Sequence, residues 1–229
     1  MSNRVALPTT EWISVMKVLK NALVISSLLF AGMSQVVANP SNELINEYNQ
    51  AAQGDTDKVE LVYKQLNQLI QNEGAKPLSL VYLGSTQTLQ GRDAWMPWNK
   101  MKYVEQGLVT IDKGLSLIAS QSIPLESQPV IQGLPDTYLA RALSAATYSQ
   151  LPDMFNHFDR GYDLFIDLLG ESQFQQAPFE ATSWIYTFAI ETAIRAEDID
   201  RANAWLALMK EKNASHPETQ KAQSLLEKV

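Results

Sequence analysis

The chain contains no cysteine. That removes disulfides, thiol nucleophiles and thiolate metal sites together. Histidine is almost as scarce: the chain has two, His157 and His216, far apart in sequence. A zinc site needs three or four ligands, so carboxylates alone would have to complete one. There is no Gly-x-Ser-x-Gly elbow and no glycine-rich phosphate loop behind a strand. Basic residues are outnumbered, 18 Lys and Arg against 25 Asp and Glu, for a net charge of −7. An acidic chain without basic clusters is repelled by phosphate backbones, which argues against nucleic acid as a partner. A run of about 20 apolar residues, long enough to span a bilayer, is also missing.

What is present begins near the N-terminus. Met16-Lys-Val-Leu-Lys20 leads into an apolar stretch, Ala22 to Met33, followed by Val36-Val37-Ala38. Two lysines, a short apolar core and small residues before a cleavage point are the parts of a secretory signal peptide. The expectation is a signal over 1–38, translation starting at Met16, and a mature domain over 39–229. Removing Arg4, Glu11, Lys17 and Lys20 with the leader makes the mature chain more acidic still. Lipid attachment at the cleavage point needs a cysteine, so no stable membrane anchor is expected. An exported chain without disulfides points to the periplasm of a Gram-negative bacterium.

Apolar spacing is helical nearly throughout, with no period-2 stretch. Val59, Val62, Tyr63, Leu66, Leu69 and Ile70 step by three and four, and so do Leu78, Val81, Tyr82, Ser85 and Leu89. Trp98, Met101, Val104, Leu108, Ile111, Leu115 and Ile118 predict one long amphipathic helix. Gly107 and Gly114, seven apart beside that stripe, predict a partner helix at close range. A Pro-bearing connection over 121–134 precedes helices expected at 135–149, 152–170, 178–196, 198–212 and 216–228. Ser215 and Glu218 have the spacing of a capping box, with Pro217 in the first turn. Helix 178–196 is apolar nearly all round, which predicts a central position.

Three segments open a small-residue helix on tyrosine: Tyr82-Leu-Gly-Ser, Tyr138-Leu-Ala-Arg and Tyr186-Thr-Phe-Ala. Each is followed by a second amphipathic helix. With Ala202, Leu206 and Pro217 in the last pair, the pattern loosely resembles the tetratricopeptide-type helical solenoids of the bacterial envelope. The spacing between the tyrosines is irregular and longer than that family's period. The resemblance implies a single all-α domain built as a right-handed stack of antiparallel helix pairs. It also implies an adaptor that binds a protein or peptide partner, without catalysis and without a cofactor.

Two groups of side chains are candidate binding residues. Arg92, Asp93, Trp95, Trp98, Lys100, Lys102 and Tyr103 surround a Met96-Pro97 break. Trp, Tyr and Arg dominate interface hot spots, whereas Pro97 and Trp98 can equally form an ordinary helix corner, with Trp98 inward and Trp95 outward. Trp184, Phe188, Glu191 and Arg195 share a face of helix 178–196, where a Glu191–Arg195 pair would have to line a cleft or be satisfied. Asp159, Asp163 and Asp167 recur every four residues as an acidic ridge, with Arg160 available to pair with Asp163. A helical enzyme or small-ligand receptor using that ridge and cleft is the competing class. Its mark would be a closed pocket in which carboxylates converge near His157.

Overall fold

Each of the three longest apolar stripes becomes a helix in the computed structural model, which describes residues 39–229. The signal-peptide expectation for 1–38 lies outside the described residues. Among them are ten α-helices: α1 (Asn42–Ala52), α2 (Thr56–Glu73), α3 (Pro77–Asp93), α4 (Pro97–Ser120), α5 (Asp136–Gln150), α6 (Phe158–Gly170), the short α7 (Ser172–Gln175), α8 (Phe179–Arg195), α9 (Ile199–Asn213) and α10 (Pro217–Leu226). Short turns join them into packed pairs, α1 with α2, α3 with α4, α5 with α6, and α8 with α9, and α10 packs on α8 and α9. The domain is single and essentially all helical.

Two apolar clusters form the core. One gathers residues of α1 to α5, among them Ile45, Leu66, Leu78, Ile111 and Tyr148. The other gathers α5 to α10, among them Phe165, Phe174, Tyr186, Trp205 and Ala222. Helix α5 serves both, sending Leu139, Leu143 and Tyr148 one way and Tyr138, Ala142 and Ala145 the other.

That arrangement corrects the expected centre. Helix α8 buries nine of its 17 residues, but α5 buries eleven of 15 and α3 thirteen of 17. The α3 sequence conceals this because its buried set includes Ser79, Ser85, Thr86 and Thr88. Their hydroxyls all find partners, three of them locally, which makes burial tolerable. Thr86 Oγ1 donates to the Tyr82 carbonyl at 2.7 Å and Thr88 Oγ1 to the Ser85 carbonyl at 2.7 Å. The Ser85 hydroxyl meets Thr147 Oγ1 of α5 at 2.8 Å.

The α3–α4 contact is a close one. A Cβ built on Gly84 would lie 2.6 Å from the Gly107 carbonyl oxygen, and one on Gly107 would lie 2.6 Å from that of Gly84. Seven residues along in either direction, Gly91 meets Lys100 and Val104, and Gly114 meets the Pro77 carbonyl. The pair is therefore antiparallel and runs backbone on backbone, as Gly107 and Gly114 predicted.

Other local expectations need correction. The span 152–170 is broken: a 3-10 turn at Asp153–Phe155 ends on Asn156 in the left-handed region (φ 54), and α6 starts at Phe158. The 121–134 connection carries a 3-10 turn and a small antiparallel hairpin, β1 (Val130–Ile131) and β2 (Leu134–Pro135). Gln132 and Gly133 both take positive φ at its tip. The N-cap of α10 is His216, whose Nδ1 accepts from the Glu218 N–H at 3.2 Å, while Ser215 turns to Asn213.

Candidate functional site

The α3–α4 turn separates its residues into two jobs. Arg92 donates to both Asp93 oxygens, at 2.6 and 2.9 Å, and to the carbonyls of Ala51 and Ala52 at the end of α1. The Asp93 carboxylate beside it raises the Arg92 pKa further. Lys100 Nζ donates to the Arg92 carbonyl at 2.8 Å, closing the C-terminus of α3. Arg92, Asp93 and Lys100 thus hold the corner together. Tyr103 is half-buried on α4 and Lys102 is exposed.

The apolar residues of the turn point away from that scaffold. Trp95 is 88% exposed, Trp98 65% and Met96 39%. Trp98 was expected inward and is outward instead. The reason lies in the helix pair behind it: backbones packed glycine on glycine leave no space between them for an indole. Sequence reasoning passed over Met96, although its place between two tryptophans was the available signal. The outer face of α4 continues from Trp98 through Lys102 to Val109, itself 68% exposed.

The second candidate group divides. Trp184 and Phe188 lie on the less buried strip of α8, edge to face with centroids 6.0 Å apart, and Lys221 lies 6.0 Å over the Phe188 ring. Trp184 packs against both core clusters. Arg195 does not pair with Glu191. It donates to the Ser149 carbonyl, reaches Asp153 at 3.3 Å and lies 4.5 Å over the Phe158 ring. Arg195 therefore locks the α5–α6 turn to the end of α8.

Around Arg195 lies an open hollow of about 350 Å³ lined by Asp153, Asn156, Phe158 and Asp159. Asp153 and Asp159, either side of His157 in sequence, both line this hollow, and the Asp153 side chain is 91% exposed. His157 is the N-cap residue of α6 but makes no side-chain capping bond; its Nδ1 lies 2.6 Å from the Phe155 carbonyl oxygen and its ring against Tyr148. The hollow is open, and its guanidinium is already engaged with the Ser149 carbonyl and Asp153.

The acidic ridge is exposed at Asp159, Asp163 and Asp167. Arg160 is not paired with Asp163 as expected. It reaches Asp112 of α4 at 2.6 Å and covers the Tyr148 ring at 4.9 Å, while the Tyr148 hydroxyl donates to the same carboxylate at 2.5 Å. Burial, and then the Asp112 hydrogen bond, push the Tyr148 pKa well up. Three helices are stitched together by these three side chains. Among the described residues no group of three or more His, Asp or Glu is placed to hold a metal ion. No helix among them is long and apolar enough to cross a membrane.

No family model matches the chain, and neither does a curated protein or a solved structure.

Proposed function

We propose that the protein is an exported, non-catalytic adaptor that captures a protein or peptide partner in the cell envelope, with a tetratricopeptide-like stack of helix pairs as its frame. One observation carries this reading: Trp95, Met96 and Trp98 stand exposed on a corner whose polar neighbours are already engaged with the protein itself. Contiguous exposed apolar side chains of this kind mark interaction sites, and tryptophan supplies much contact area at low entropic cost.

The stacked frame draws on two features. The first helices of successive pairs touch one another, α3 with α5, α5 with α8, and α8 with the closing α10. Tyr82, Tyr138 and Tyr186 are buried on α3, α5 and α8 respectively, so each tyrosine-led segment contributes its ring to the core.

A photo-crosslinking residue at position 95, compared with one at exposed Lys210 on α9, tests the reading in the intact envelope. The expected result is one discrete adduct from position 95, absent from position 210 and lost with Trp98→Ala. Equal labelling from both positions, or none from 95, would overturn it.

A further inference from the structure

The entry into α1 holds an acceptor unmatched among the described residues. The Asn39 side-chain amide donates to Asp136 Oδ2 at 2.8 Å, joining residues 97 positions apart. Asp136 opens α5, is 8% exposed, and has its own N–H bound to the Pro129 carbonyl at 3.0 Å. Asn39 Oδ1 is buried and has no hydrogen-bond partner among the described residues, and Pro40 beside it is buried too. Buried acceptors without donors are rare because each forfeits its hydration. Standard bond lengths keep the backbone nitrogen of a residue within about 5 Å of its own side-chain amide. The Asn39 nitrogen therefore lies within roughly 8 Å of the Asp136 carboxylate, inside the Debye length at physiological salt.

In the continuous chain that nitrogen is a neutral amide with one proton. Hydrolysis of the Ala38–Asn39 bond by an export peptidase changes it. The water oxygen goes to the Ala38 carbonyl carbon, which leaves as a carboxylate, and both water protons end on the Asn39 nitrogen. We propose that this new α-ammonium is a built-in ligand of the fold, clasped by the Asp136 carboxylate and by the Asn39 side-chain oxygen. Maturation then tightens the seam between the start of α1 and the start of α5. The unprocessed chain lacks the charge that the seam receives. This inference rests on the export reading given above.

The charged neighbours are few. Lys76, at the N-cap of α3, lines the same cavity of about 300 Å³ as Asp136 beneath the 121–135 connection and competes as a cation. Glu43, in the first turn of α1, is exposed.

The test uses protein isolated from the cell envelope, with its N-terminus sequenced. The rate of α-amine acylation by an N-hydroxysuccinimide ester is then followed against pH, in the native state and in denaturing urea. The clasp predicts a chain beginning at Asn39. It also predicts a native profile displaced to higher pH, with labelling about threefold to tenfold slower near neutrality, because a carboxylate favours the protonated, unreactive amine. Burial alone would displace the profile the other way. Asp136→Asn should remove most of the difference, and the native-against-urea comparison stands even if that variant folds poorly. An uncleaved N-terminus would overturn both the clasp and the export reading, and a cleaved chain starting at another residue would overturn the clasp alone. A chain starting at Asn39 with an undisplaced or lowered profile would overturn the clasp alone.

Discussion

The α3–α4 turn and the α5–α6 turn close neighbouring helix pairs in opposite ways. Behind the first, glycine faces glycine and the backbones touch, so the turn has no interior and its two tryptophans stand in solvent. Behind the second, Gly161 fits against Ala145 and Ser149, but the turn is filled. Leu151 is 9% exposed, Phe155 packs on the first core cluster, the His157 ring rests on Tyr148, and Arg195 covers Phe158. Both turns carry aromatic residues, and only one of them uses those residues to hold the fold. The first connection spans three residues and the second seven, and Trp95 and Trp98 belong to neither core cluster.

The largest effect should come from spoiling the close contact. Gly107→Ala puts a methyl 2.6 Å from a backbone oxygen that cannot move aside. Overpacking of this kind should cost about 3 kcal/mol, a fall of roughly 6–12 °C in Tm by calorimetry. Gly170→Ala, where nothing lies within 4 Å, should stay within about 0.5 kcal/mol. Equal effects at the two glycines would refute backbone-on-backbone packing.

Next comes the stitching of the filled pair. Tyr148→Phe removes a hydrogen bond to the Asp112 carboxylate and should cost about 1.5 kcal/mol in urea unfolding. No loss would mean that Arg160 alone satisfies Asp112.

A smaller effect is expected in alkali, and it spans both regions. Burial holds Tyr48 on α1, and Tyr138 and Tyr162 on α5 and α6, up to about 12 from 10.0. A raised folded pKa contributes stability that is complete below pH 10 and is lost as pH climbs through about 12. Tyrosinate absorbance should rise together with loss of helical circular dichroism in that window. Tyrosines ionising near pH 10 while the helices persist would contradict their burial.

Much of this was legible in residue spacing, because an amphipathic helix announces its buried stripe. The α2 and α4 stripes and the close approach at Gly107 and Gly114 all follow from it. What escaped depends on partners remote in sequence. Arg160 has an acid three residues along and chooses Asp112 on another helix, since there it can also cover the Tyr148 ring. Arg195 likewise leaves Glu191 for the Ser149 carbonyl. The hydroxyls of α3 are polar in composition, but Thr86 and Thr88 bond to their own helix and Ser85 to Thr147 of α5, which allows them inside. Trp98 matched an apolar stripe, yet whether a stripe end is covered depends on the spacing of the helix pair, which periodicity does not encode. At the candidate site, the tryptophans could be named from composition, but the division between scaffold (Arg92, Asp93, Lys100) and free surface (Trp95, Met96, Trp98) needed coordinates.

The smallest expected change in stability tests the most. A Trp95→Ala, Trp98→Ala double variant should melt within about 0.5 kcal/mol of the unsubstituted protein, while losing partner capture in the envelope by tenfold or more. A large drop in Tm, or capture that survives intact, would contradict the claim that this corner exists for binding.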